Sequence, residues 1–204
     1  NIIEYANEGY DTIYSSGGLM PENIEKIIVS NYWSNGTSVK GNSLDNVIEV
    51  TAVHATIDGG LGADRLIYLG GGGEIVFKVD NVGDVIETRG STYSVTVETS
   101  LINYTLPDSV GSSNYNYLTS TASSVINLTG NYRNNIINAL TAQAGSVISG
   151  LDGNDTYIVG DNAASIALVE TTNGGSDTLE FAGGIVNDVY LPTNIETLKI
   201  ADSA

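Results

Sequence analysis

Cysteine is absent from the 204 residues, which excludes disulfides, thiolate zinc sites, iron–sulfur clusters and cysteine nucleophiles. Histidine occurs once, as His54, so no histidine cluster is available to hold a metal. Basic residues are scarce: 7 Lys plus Arg stand against 24 Asp plus Glu, for a net charge of −17. Such a chain repels phosphate backbones and anionic bilayers, so no nucleic acid is expected as partner and a cation is. Apolar runs are short, and none nears the roughly 18–20 residues of a membrane helix, so no membrane insertion is expected. The chain opens at Asn1 without a basic segment followed by an apolar one. Because it opens inside a repeated pattern, the expectation is a piece of a longer polypeptide.

Glycine (24) and tyrosine (12) are frequent, beside many Asn, Thr and Ser, and 41% of residues are hydrophobic. That mixture offers turns and β-formers with enough apolar surface for a core, and little to build helices. Short β-branched or aromatic segments bounded by Gly, Asn or Asp, such as Ile75–Val79, Tyr93–Val97 and Thr156–Val159, read as strands of about four to six residues. The one helix-like spacing, Ile24, Ile27 and Ile28 after Pro21, has counterparts elsewhere that alternate, so it too reads as strand.

Those counterparts belong to a long-range repeat. Ile2-Ile3-Glu4, Val85-Ile86-Glu87 and Leu168-Val169-Glu170 stand 83 residues apart each time, and Asp11, Ser94 and Asp177 keep the same step. The prolines of Met20-Pro21, Leu106-Pro107 and Leu191-Pro192 follow with small drift. A Gly- and Asn-rich block closes each of the first two units, so residues 1–79 form unit one, 80–160 unit two, and 161–204 a truncated third. No low-complexity linker separates them, and one continuous body is expected.

Residues 59–67 read Gly-Gly-Leu-Gly-Ala-Asp-Arg-Leu-Ile, filling every fixed position of G-G-x-G-x-D-x-U-x, where U is large and apolar. Glycines let the backbone turn tightly and aim carbonyl oxygens inward, the Asp adds a charged oxygen, and U begins a buried strand. Residues 150–158, Gly-Leu-Asp-Gly-Asn-Asp-Thr-Tyr-Ile, match with Leu151 in place of the second glycine. Calcium takes six to eight oxygens and one loop offers about half, so a second loop must stack on the first. With coils of two nonapeptides the partner lies 18 residues earlier, which stacks Gly59 on Gly41, Asp64 on Asn46 and Leu66 on Ile48. Asn135 and Asp155 are 20 apart, the two extra residues falling in the return loop near Gln143–Ser146.

On these motifs the chain resembles the hemolysin-type calcium-binding repeat family, the repeats-in-toxin proteins. The resemblance implies a right-handed parallel β-roll, or β-solenoid, with Ca²⁺ held by Gly59, Gly60, Gly62, Asp64 and Asn46 in one turn and by Gly150, Asp152, Gly153, Asn154 and Asp155 in the other. It further implies a type I exporter in a Gram-negative or cyanobacterial cell and an extracellular, cell-surface location. Two departures bear on the metal: the complete motifs are isolated instead of tandem, and Asn46 and Asn135 put neutral oxygens at the acidic position of each lower neighbour.

Catalysis finds no support in the motifs. His54 alternates within Val53–Thr56 without a partner nucleophile, Gly70–Gly73 runs into a strand where a phosphate loop needs a helix, and an EF-hand from Asp152 would need glycine at Tyr157. The expectation is a non-enzymatic structural segment of a secreted surface protein, such as an adhesin stalk, surface layer or filament, with copies of itself or adjoining repeats as partners. The alternative is a C-terminal export and folding module of a secreted enzyme. A third reading, sugar binding, rests on the aromatic patches Tyr32-Trp33 and Asn114–Tyr117.

Overall fold

The computed structural model describes residues 2–6, 8–111, 115–161, 165–182 and 191–200. It is all-β: parallel strands wind into a β-solenoid of about eight turns, with no α-helix among the described residues. Among the described residues no helix is long and apolar enough to cross a membrane. Contacts divide the chain into two units, residues 1–97 with 109–113 and residues 98–108 with 114–204.

In the first unit β1 (Thr12–Ser15), β3 (Lys26–Lys40), β4 (Val47–Asp58), β6 (Glu74–Val79) and the first four residues of β8 (Ser94–Thr99) lie in that order. β2 (Gly18–Leu19) pairs with β3, and β5 (Arg65–Gly70) joins β4 to β7 (Val85–Thr88). The strand pairings of these coils are parallel, as a coil laid on a coil requires. Two strands are much longer than the sequence suggests: β3 has 15 residues and β4 has 12. The reason is visible in the register, which slips between Asn31 and Asn35 and again between Asn35 and Thr37, so β3 rounds a bulged corner and serves two faces without a break.

Side chains of one register position form columns along the stack. Ile27 pairs with Ile48, Ile48 with Leu66, and Leu66 with Ile86, all at most 1% exposed. Each coil therefore buries its apolar face only against the next one, a one-dimensional economy in which neighbours supply the core.

The second unit carries two sheets, β10 (Tyr115–Ser120), β12 (Asn135–Ala139), β14 (Thr156–Val159), β16 (Thr178–Phe181) and β17 (Thr197–Ile200) in one, and β9 (Asn103–Thr105), β11 (Asn127–Thr129), β13 (Val147–Leu151) and β15 (Ala167–Glu170) in the other. Its column Leu118–Ile137–Tyr157–Leu179 is buried and opens only at the terminal Leu198, 37% exposed. The 20-residue step is absorbed between β12 and β13, where Ala142 N–H donates to Ala139 O and Ser146 N–H to Gln143 O in successive tight turns.

Of the remaining sequence features, His54 accepts the Glu74 N–H on its Nδ1 at 3.2 Å, tying two successive coils. Gly70–Gly73 is a turn pressed on the coil below, where a Cβ at Gly73 would lie 1.6 Å from the Val53 carbonyl oxygen. Tyr32 is exposed and Tyr117 half-buried. Asn114 and the side chains of Trp33 and Tyr115 lie outside the described residues.

Candidate metal centre

Both motif turns stack as the 18- and 20-residue spacings require. Asn46 immediately precedes the Val47–Arg65 pair and Asn135 the Ile136–Thr156 pair, which sets Asp64 over Asn46 and Asp155 over Asn135. Gly41 and Gly59 are in contact as well: a Cβ on Gly41 would lie 2.0 Å from the Gly59 carbonyl oxygen. Gly60 and Gly62 turn with φ of 86° and 112°, against the backbone of Asn42 and Leu44. Gly153 has φ 120°, and Leu151, at the position of Gly60, is held at φ 77°, a conformation that costs a residue with a Cβ about 1–2 kcal/mol.

What the acids do in these turns is specific. The Asp64 Oδ1 accepts the Asn46 N–H at 2.7 Å, and the Asp84 Oδ1 accepts the Asp64 N–H at 3.0 Å. In the second unit the Asp155 Oδ1 accepts the Asn135 N–H at 2.7 Å, the Asp177 Oδ1 accepts the Asp155 N–H at 2.8 Å, and the Glu196 Oε2 accepts the Asp177 N–H at 2.7 Å. Each side chain thus caps the backbone of its counterpart one coil earlier, and the caps form a ladder along the stack. The side-chain oxygen and amide of both asparagines are engaged in it. Asn46 Oδ1 takes the Asn42 N–H while its amide donates to Ile24 O and Asn42 Oδ1, and Asn135 makes the matching pair with Asn131.

The aspartates are not saturated. Asp64 Oδ2 and Asp155 Oδ2 are buried without a hydrogen-bond partner, in residues only 1% exposed. A buried carboxylate oxygen left unpaired is costly, so each of these positions calls for a proton or a cation. Burial is the main reason that Asp64 is pushed up to about 6 and Asp155 to about 8; neighbouring acids add to it, against the lowering effect of the Asn46 and Asn135 N–H groups.

The two sites differ in the acids that surround the aspartate. Around Asp155, Glu170 from the end of β15 and Asp177 from the turn before β16 converge, and ligand oxygens of all three acids lie within 4.8 Å of one another. Oxygens on one Ca²⁺ at 2.3–2.6 Å can be no farther apart than about twice that distance, so the triad meets the requirement. Burial, with Asp177 second, pushes Glu170 up to about 7 and burial raises Asp177 as well. The Tyr157 hydroxyl donates to Glu170 Oε1 and orients it. Near Asp64 the neighbouring carboxylate is Asp84, whose Oδ1 caps Asp64 and whose Oδ2 accepts the Asp80 and Asn81 N–H groups, and among the described residues no third acid completes a triad with them as Glu170 and Asp177 do with Asp155.

Of the sequence-derived residues around Asp155, Gly150 packs on it: a Cβ there would lie 2.1 Å from Asp155 Oδ2. Asp152 and Asn154 are exposed. Asn154 Oδ1 already accepts the Ser176 N–H at 2.8 Å, in a second, outer ladder that also joins Asn134 Oδ1 to the Asn154 N–H. Glu170 and Asp177 escaped the motif reading although both are positions of the 83-residue repeat. That repetition was the available signal. Compared with protein-family models, curated proteins and solved structures, the chain finds no match.

Proposed function

We propose that the chain is a structural, non-enzymatic segment of a secreted bacterial surface protein, of the repeats-in-toxin kind, whose stacked acidic turns are locked by Ca²⁺. The observation that carries this reading is the convergence of the Asp155, Glu170 and Asp177 carboxylates beside a buried Asp155 Oδ2 that has no hydrogen-bond partner. Asp155, Glu170 and Asp177 would hold the ion, with Gly150 in contact with Asp155 and Tyr157 orienting Glu170. Three carboxylates suit a hard cation that accepts flexible oxygen geometry. The turn at Asp64, Gly59, Gly60 and Gly62 over Asn46 is a weaker second site, since it supplies one unpaired carboxylate oxygen. Bound calcium would neutralise part of the −17 net charge and favour the folded form in a calcium-rich exterior.

The test is thermal unfolding in millimolar CaCl₂ and in chelator. Calcium is expected to raise the melting temperature, since an ion at a hundred times its dissociation constant stabilises by about 2.7 kcal/mol. Asp155→Ala should remove most of that gain and Asp64→Ala a minor part. Equal melting in both buffers would eliminate the metal from the proposal while leaving the ladder in place.

A further inference from the structure

The first coil of the chain reproduces the coil around Glu170 contact for contact. Asn23 Nδ2 donates to Glu4 O at 2.9 Å, as Asn194 Nδ2 donates to Glu170 O at 3.2 Å. The two asparagines share a left-handed backbone, with φ of 63° and 62°. Asp11 N–H donates to Glu25 Oε2 at 2.8 Å, as Asp177 N–H does to Glu196 Oε2 at 2.7 Å. Lys26 N–H donates to Asp11 O and Thr197 N–H to Asp177 O, both at 3.0 Å. The strand registers agree too, since Thr12 lies on Lys26 where Thr178 lies on Thr197.

The two modules differ on their other side. In the second unit β16 is covered by β14, and β15 by β13, with Asp155 donating its N–H to Asp177 Oδ1. In the first unit, among the described residues, β1 is the last strand of its sheet, and Asp11 Oδ2 is buried without a hydrogen-bond partner. Ile13 is half-buried where Leu179 is 2% exposed, and Ile2 is 54% exposed at the position of the half-buried Leu168. The backbone edge and its acceptor are both in place.

We infer that the open side of β1 and of residues 2–4 is a docking edge for one specific partner: the terminal coil of another repeat of this kind, with strands equivalent to β13 and β14. The incoming residue at the Asp155 position donates its N–H to Asp11. Its two strands pair in parallel with residues 2–4 and β1, and its apolar column caps Ile13. This is β-strand addition with the register set by an internal template, and it requires no metal. A bare edge of this sort is otherwise an aggregation liability.

The spacing allows a clean test. Glu4 to Asp11 and Glu170 to Asp177 are both seven residues, so residues 115–169 can be joined directly ahead of Glu4 in the otherwise complete chain, at high effective concentration. In chelator, hydrogen exchange of the β1 amides is expected to slow at least tenfold in the extended chain. Asp11→Ala in the extended chain, and Ile158→Pro within the added segment, should each return most of the fast exchange, the proline by blocking the strand. Unchanged β1 exchange in the extended chain, with the remaining coils still protected, would overturn the inference. So would slowing that survives both substitutions. Because calcium is absent throughout, neither outcome depends on the metal reading.

Discussion

At pH 8 in chelator, the Asp155→Asn chain is expected to melt higher than the natural one, and in millimolar calcium lower. The first half follows from the proton. Asp155 has an ordinary value of 3.8 when exposed and is pushed up to about 8 in the fold, and Glu170 from 4.5 to about 7. Between about pH 4 and pH 8 the folded chain therefore holds protons that the unfolded chain has released, and each rise in pH across that window favours unfolding. The stability present below pH 4 is lost progressively, on the order of a few kcal/mol by pH 8.

Asparagine at 155 keeps the acceptor for the Asn135 N–H and replaces the orphaned oxygen with an amide that can donate to Glu170. Asn46 and Asn135 already occupy equivalent ladder positions, so the substitution is sterically rehearsed. A gain of roughly 5–10 °C at pH 8 and a flattened pH profile are expected, taking about 2–4 °C per kcal/mol for a chain of this size. In calcium the order should invert, because a neutral amide is a poor replacement for a carboxylate ligand. Lower melting of the variant in both buffers would show that the charge at 155 stabilises the fold by some route other than a cation.

Gly41→Ala is expected to cost about 3 kcal/mol and to leave the two coils from Met20 to Asp58 open to proteolysis. The added methyl would sit 2.0 Å from the Gly59 carbonyl oxygen and 2.4 Å from Asn46 Oδ1. Neither can retreat: Gly59 belongs to the next coil's turn, and Asn46 is fixed by three hydrogen bonds of its own. Substitution of Gly72, where nothing lies within 4 Å of a Cβ, isolates the φ of +83° from the steric clash and should cost about 1 kcal/mol. Chemical denaturation of the two variants separates the cases, and a mild effect at Gly41 would mean that the coils are less tightly stacked than described.

The stacking of the turns was legible because glycine, acid and apolar residue recur at fixed offsets, and only one coil length puts Leu66 on Ile48 and Gly59 on Gly41 together. The all-β reading followed from the same alternation. The two long strands were not legible, because residues 31–37 round a corner through bulges, which carry no periodicity of their own. Glu170 and Asp177 were missed as partners of Asp155 for a related reason. They stand 15 and 22 residues downstream, outside the nonapeptide, at distances set by the path of a particular return loop, and only the 83-residue repeat marks them. Asn154, attractive by proximity in sequence, alternates to the outer face, as period-two geometry demands of a neighbour of a buried residue.

The ladder runs one way: each cap is a later side chain closing over an earlier amide, at separations of 18 to 22 residues. Mechanical load applied to such a chain would meet it one rung at a time. Each rung that lets go frees a single winding, and about 20 residues of extended backbone is about 70 Å of slack. Under tension the segment would lengthen in discrete steps, absorbing work at each one.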